Sequence, residues 1–134
     1  MAATAHVLTD AQKALLDEKH LGVVTDLMPD GTPHSTVVWV DRDGDVVQFN
    51  TARGRLKTRN LERDPRVSLV VFDPANAFQR TVVVRGRAQF VDEGADAHID
   101  RLARKYMGAD SYPFRRPGEQ RVTVRVIPDR ITGP

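Results

Sequence analysis

Short runs of β-branched and aliphatic residues, most of them ended by a turn signal, are the feature that most restricts the fold of this sequence. The runs cover residues 21–27, 33–40, 45–50, 66–72, 81–91 and 120–127. Short strands separated by Gly, Pro, Asn and Asp are typical of antiparallel sandwiches and barrels. Gly86, in the middle of the longest run, predicts a bulge or bend that lets a sheet curl. We therefore predict a mainly β fold, with six antiparallel strands in a closed or nearly closed barrel.

Helical segments interrupt this strand pattern. The stretch from Thr9 to Gln12 has the form of a capping box, so we expect a helix from about residue 10 to residue 19. A short helical pattern follows the strand that ends at Asn50. Residues 92–107 predict a longer helix, which ends at a glycine.

The length and composition of the chain predict one domain. With 134 residues and 40% hydrophobic content, the chain forms one core, with a helix in residues 1–19 and a barrel with two inserted helices in residues 20–128. Cysteine is absent, which excludes disulfides, thiolate metal sites and a cysteine nucleophile. Residues 1–9 show no targeting signal, and no apolar run approaches the roughly 18 residues that span a membrane. We expect a cytoplasmic protein without a membrane partner.

The turn at residues 51–61 carries the strongest functional signal. It places Arg53, Arg55, Lys57 and Arg59 at a strand-to-helix turn that also contains Gly54. Cations and a helix N-terminus at such a turn are suited to binding a phosphate or another small anion. A basic helix is also often only a solvated face, so both interpretations stay open from the residues alone.

Other chemistries find little support in the sequence. No nucleophile elbow surrounds any serine, and no pair of histidines has the spacing of a metal site. We expect no metal and no protein nucleophile. With 6% aromatic residues the chain offers few stacking platforms for bases, so we expect no nucleic-acid partner.

Several of these segments together resemble a known family. The segments are Pro33 to Trp39, Val47-Gln48-Phe49-Asn50-Thr51, Gly54-Arg55-Leu56-Lys57-Thr58-Arg59-Asn60-Leu61, Asp64-Pro65-Arg66-Val67 and Val84-Arg85-Gly86-Arg87-Ala88. They resemble the pyridoxamine 5'-phosphate oxidase-like split β-barrel superfamily, and within it the coenzyme F420 (deazaflavin)-dependent oxidoreductases of actinobacteria. The resemblance covers roughly residues 21–127 and implies the FMN-binding split-barrel fold.

The resemblance also implies a cofactor site. Arg55 and Lys57 would bind the cofactor phosphate, supported by Thr51 and Asn60, while residues 34–39 would lie along the tricyclic ring. The full set implied is His34, Ser35, Thr36, Val37, Trp39, Thr51, Arg55, Leu56, Lys57, Asn60, Tyr112 and Arg125. Simpler roles remain open for Trp39 as a core or interface residue and for His34 as a strand cap.

The activity implied is hydride transfer between coenzyme F420 and a small conjugated acceptor, such as a quinone, an enone or a tetrapyrrole-like molecule. The cofactor supplies the chemistry, so no catalytic side chain is needed. FMN is the alternative cofactor, and surplus cations at Arg53, Arg59 and Arg63 favour F420 with its oligoglutamate tail. A noncatalytic cofactor-binding barrel is a further alternative. The resemblance implies a homodimer, with Tyr106, Tyr112 and Arg125 as candidates for the partner's contribution.

Overall fold

The computed structural model describes residues 6–134, so part of the stretch expected to lack a targeting signal lies outside it. The helices are α1 Asp10–Asp17, α2 Leu56–Arg63 and α3 Ala95–Met107. The strands are β1 Gly22–Leu27, β2 Pro33–Val38, β3 Val40–Asp43, β4 Val46–Ala52, β5 Arg66–Phe72, β6 Thr81–Val91 and β7 Arg121–Thr132. Within the described residues, no helix is both long enough and apolar enough to cross a bilayer.

Residues 6–134 form seven strands, so the predicted number of six is wrong. The strand predicted at residues 33–40 is divided at Trp39: residues 33–38 form β2, and β3 begins at Val40 and continues to Asp43. All neighbouring strands are antiparallel, and they form one sheet in the order β2-β1-β5-β6-β7-β4-β3. The run contains no turn residue at the break, which is why the sequence predicts a single strand there.

A single residue joins the two edges of this sheet. β2 and β3 lie at opposite ends of the strand order, yet only Trp39 separates them in the chain. The two Cα–Cα steps from Val38 to Val40 span no more than about 7 Å, so the sheet must curl until its edges meet. The curled antiparallel sheet confirms the predicted mainly β, split-barrel fold.

The inside of the curl is the hydrophobic core. Side chains alternate between the two faces of a strand, so Val24, Phe49, Leu69, Val84 and Val124 all point inward and are buried. Two helices complete this core. Helix α1 contributes Leu15 and Leu16, and α2 contributes Leu61. The predicted capping box at the start of α1 is confirmed.

The third helix covers the opposite, outer face of β4 and β7. In β4, Val47 and Phe49 belong to the core, whereas Gln48 and Asn50 point outward and contact His98 of α3. The helix ends at Gly108, as predicted, and this glycine adopts a left-handed conformation. Polar residues on this half of the sheet are therefore buried by α3 and are not exposed to solvent.

Gly86 marks the predicted irregularity in β6. The register between β6 and β7 shifts between Arg85 and Gly86, as expected for a bulge. A Cβ atom at residue 86 would lie 1.9 Å from the backbone oxygen of Ile127, which is far inside contact distance. Glycine is therefore required here by the close approach of β7.

Replacing this glycine should destabilise the fold. In Gly86→Ala the new methyl group overlaps backbone that cannot rotate away, so we expect a loss of about 3 kcal/mol in the free energy of unfolding. Urea unfolding measures it. The control is Gln89→Ala at an exposed position of the same strand, which should change stability by less than about 0.5 kcal/mol. Equal stabilities for the two variants would contradict the close approach.

Candidate functional site

A cleft of about 370 Å³ opens where the start of α2 meets α3 and the corner at Trp39. Its lining falls into two groups. Cationic side chains form one end, and these are Arg55, Lys57 and Arg121. Apolar and aromatic side chains form the other, and these include Leu21, Val37, Trp39, Tyr112 and Phe114. A polar end joined to an apolar slot is the usual form of a small-molecule site.

The cationic end is built on the first turn of α2. Arg55 is the N-cap residue of this helix, and Lys57 follows within its first turn, which contains no acidic residue. The N-terminus of a helix carries partial positive charge, so cations placed there are unfavourable unless an anion binds nearby. The local structure is thus arranged for an anionic ligand.

Lys57 is the least compensated of these cations. It forms no ion pair with any residue in the range 6–134, whereas Arg55 approaches Glu119 at 3.5 Å. Burial lowers the pKa of Lys57, and the charges of Arg55 and Arg121 lower it further, while Asp26 opposes the shift. An anion in the cleft would offset both the desolvation and the repulsion.

Arg121 is a member of the site that the sequence did not reveal. It is 5% exposed, and its Nε donates to Asn50 Oδ1 at 2.9 Å while Nη1 donates to Glu119 at 3.1 Å. Its guanidinium carbon lies 5.0 Å from the centre of the Tyr112 ring. The alternation in β7 correctly puts Arg121 on the polar face, but nothing local shows that α3 covers that face.

Aromatic contacts shape the apolar end. Trp39 stacks on Tyr106 with ring centres 5.4 Å apart, and it meets Tyr112 edge-on at 6.2 Å. The Tyr106 hydroxyl donates to the carbonyl oxygen of His20 at 2.5 Å and accepts from the Val40 amide at 3.1 Å. Trp39 is therefore held rigidly, with Tyr112 beside it in the cleft.

The structure brings five of the twelve predicted site residues into the cleft lining: Val37, Trp39, Arg55, Lys57 and Tyr112. Tyr106 and Tyr112, predicted as candidates for the partner's contribution, contact Trp39 of their own chain. Leu56 lies beside the cleft on α2 and is 38% exposed. Arg125 pairs with Asp43 at 2.9 Å and lines a different cleft, between α3 and the sheet.

The remaining predicted residues make other contacts in this chain. Thr51 is fully buried, with its hydroxyl 3.2 Å from that of Thr58. Ser35 lies on the outer face of β2 and contacts Thr25 at 2.8 Å. Thr36 is partly buried beside it. Their roles in cofactor binding stay predictions.

His34 and Asn60 both contact a buried carboxylate. Asp26 is fully buried, and its Oδ1 lies 3.0 Å from His34 Nδ1 and 2.7 Å from Asn60 Nδ2. Asp26 of β1 therefore connects His34 of β2 to Asn60 of α2, beneath Lys57. The two residues thus support the floor of the cationic end, although neither lines the cleft.

Comparison with known proteins identifies the family. The sequence profile described as pyridoxamine 5'-phosphate oxidase matches residues 8–133, almost the whole chain. The chain belongs to the pyridoxamine 5'-phosphate oxidase family. A putative pyridoxamine 5'-phosphate oxidase from Listeria innocua shares the fold, with a TM-score of 0.66 at 20% identity over 89% of this chain and 91% of that one.

Two further proteins that are similar to this chain are named for coenzyme F420. The chain is 31% identical to the F420H(2)-dependent biliverdin reductase of Mycobacterium tuberculosis, over 99% of this chain and 93% of that protein. A solved structure named F420 reductase superposes with a TM-score of 0.79 and 29% identity, over 93% of this chain and 98% of that one. They confirm the predicted resemblance to the F420-dependent branch.

The lowered pKa of Lys57 predicts how anion binding depends on pH. Its ammonium loses the proton at a lower pH than an ordinary lysine, so phosphate affinity should be high below that pKa and fall as pH rises through it. Titration with inorganic phosphate from about pH 8, where phosphate is already almost entirely a dianion, to about pH 10 measures the effect. Lys57→Arg should bind with little pH dependence over this range, because arginine stays charged. The same fall in both proteins would contradict a role for Lys57.

Proposed function

We propose that this protein is a coenzyme F420-dependent reductase, which transfers a hydride from the reduced deazaflavin to a small conjugated acceptor. The observation that carries the proposal is the convergence of three cations on one end of an aromatic cleft. Two relatives named as F420 reductases support it. Quinones, enones and tetrapyrrole-like molecules are the proposed acceptor classes, and the name of the mycobacterial relative favours the last.

The residues present fit such a cofactor. Arg55, Lys57 and Arg121 would bind its phosphate by charge-assisted hydrogen bonds, each worth about 1.5 to 3 kcal/mol. Trp39 and Tyr112 would lie against the tricyclic ring and shield it from water. When bound, the reduced deazaflavin supplies the hydride, so the protein needs no nucleophile of its own.

FMN remains the alternative cofactor, because it also carries a phosphate and a tricyclic ring. The surplus of cations that favours F420 is smaller than the sequence suggests. Arg53 pairs with Glu62 at 2.6 Å and with Asp92 at 2.9 Å. Arg63 donates to the carbonyl oxygen of Leu27. Of the three surplus cations, Arg59 alone has a side chain that forms no ion pair or hydrogen bond with any residue in the range 6–134.

A cofactor titration tests the proposal. The parent protein should bind F420 more tightly than FMN, and Arg55→Ala combined with Lys57→Ala should weaken binding at least about 100-fold through the loss of two charge-assisted bonds. The control combines Lys19→Ala with Arg101→Ala, which removes two exposed cations outside the cleft. Oxidation of bound reduced F420 by added quinone or biliverdin then separates a reductase from a storage protein.

FMN binding without F420 binding would overturn the proposed cofactor. Unchanged binding in the double variant would show that the cations on α2 form only a solvated face. Tight F420 binding with no oxidation by any acceptor class would favour the noncatalytic barrel.

We also propose that the protein is a homodimer. Within residues 6–134, no helix covers the outer face of β2, β1, β5 and β6, where Val23, Val70 and Val83 are half-buried and Val37 is 61% exposed. An apolar sheet face of this kind marks an interaction surface. Val37 also lines the cleft, so a second copy seated on this face would close the open side of the cofactor site.

A charge at the centre of that face should separate the subunits. Val70→Asp buries a carboxylate in the proposed interface, so we expect a monomer by analytical ultracentrifugation and F420 affinity reduced about tenfold or more. Ala97→Asp, at an exposed position of α3, is the matched control and should leave both properties unchanged. A parent protein that sediments as a monomer would contradict the dimer.

A further inference from the structure

A buried histidine lies behind the cationic end of the cleft, between α3 and the outer face of the sheet. His98 is 2% exposed. Its Nδ1 lies 3.1 Å from Asn50 Nδ2 and 3.1 Å from Thr123 Oγ1, while Nε2 lies 2.8 Å from Asp41 Oδ1. Both ring nitrogens are therefore engaged, and Asn50 connects the ring to the cofactor cleft.

The direction of each hydrogen bond follows from Arg121. Its Nε can only donate, so Asn50 Oδ1 must be the acceptor at 2.9 Å. Asn50 Nδ2 then donates to the carbonyl oxygen of Ala95 at 2.9 Å and to His98 Nδ1. Nδ1 must carry a lone pair, so the Thr123 hydroxyl donates to it as well, and the ring proton lies on Nε2, where it is donated to Asp41.

We propose that His98 is a positioning residue for the anion site. As a neutral imidazole with its proton on Nε2, it orients the Asn50 amide, and Asn50 in turn holds the Arg121 guanidinium in the cleft. This inference rests on the proposed function, since it takes Arg121 to bind the cofactor phosphate.

The ring and the carbonyl oxygen of Ala95 together fix the orientation of Asn50, because each accepts one N–H of its amide. An amide fits its site almost equally well when flipped, and only its hydrogen-bond partners select one orientation. Without an acceptor at Nδ1, one N–H of the buried Asn50 amide has no partner, and the amide keeps only its bond to the Ala95 carbonyl oxygen on that side. The amide can then rotate out of line with Arg121 Nε. Arg121 would then depend more on Glu119 and the Tyr112 ring, and its guanidinium would be held less firmly in the cleft.

The contact of Gln48 with the ring is consistent with a proton on His98 Nε2. Gln48 Nε2 lies 3.4 Å from His98 Nε2, the longest of the contacts to the ring. Both atoms carry protons in this arrangement, so the contact is not a hydrogen bond. Gln48 Oε1 instead accepts from Arg125 at 3.3 Å.

Two substitutions of His98 separate positioning from simple filling of space. His98→Asn places an amide oxygen near the position of Nδ1, so it keeps an acceptor for Asn50 and loses the bond to Asp41. His98→Gln places its amide nitrogen near the position of Nε2, so it keeps the donor to Asp41 and loses the acceptor. Both remove the buried ring, and both should lower the melting temperature by similar amounts.

Affinity for inorganic phosphate and for F420 is the deciding measurement. We expect His98→Asn to bind within about threefold of the parent and His98→Gln to bind about tenfold more weakly, the effect of one hydrogen bond. Equal affinity in the two variants would overturn the inference. Failure of the parent itself to bind either ligand would instead overturn the proposed function, so the two failures are distinguishable.

A measurement on the parent protein keeps the inference testable if the variants do not fold. Nitrogen NMR at neutral pH should show His98 Nδ1 without a proton and Nε2 with one, and Arg121 Nε–H should be protected from hydrogen exchange. A proton on Nδ1, or a rapidly exchanging Arg121 Nε–H, would overturn the inference without reference to any ligand.

Discussion

The one-residue link at Trp39 is the constraint on which the rest of the structure depends. It joins the two edges of a seven-stranded sheet, so the sheet must curl, and the curl creates an inside and an outside. Helix α3 fastens this corner: Tyr106 stacks on Trp39 and bonds to the backbone of Val40, and Lys105 donates to the carbonyl oxygen of Val40 at 2.7 Å. Burial raises the pKa of Tyr106 to about 12, so its hydroxyl stays protonated as a donor.

The two faces of the curled sheet have different physical roles. The inner face is aliphatic and supplies the stability of the barrel, with α1 and α2 completing the core. Where α3 covers the outer face, the buried residues are polar and satisfy one another through His98 and Asn50. The cleft lined by Arg55, Lys57 and Arg121 lies where these regions meet, so its cations stand on a rigid support, as a preorganised anion site requires.

Much of the fold was predictable because its signals are local. The bounds of β5 and β6 were predicted to the residue, as were the capping box at Thr9 and the end of α3 at Gly108. These features depend on residues a few positions apart. The division between β2 and β3 was missed, because no local turn residue marks it. The chain turns at Trp39 in order to reach the far edge of the sheet.

The sequence by itself determined most of the strand pattern, the bulge at Gly86 and the basic turn that contains Arg55 and Lys57, since each follows from neighbouring residues. Only the tertiary structure decided which charges share a site. Arg121 joins Lys57 because β7 pairs with β4 next to the start of α2, and Arg53, a close neighbour of Lys57 in sequence, is removed by its ion pairs. The convergence of these cations depends on how the sheet curls and on which face of it α3 covers. Neither can be read from the spacing of residues along the chain.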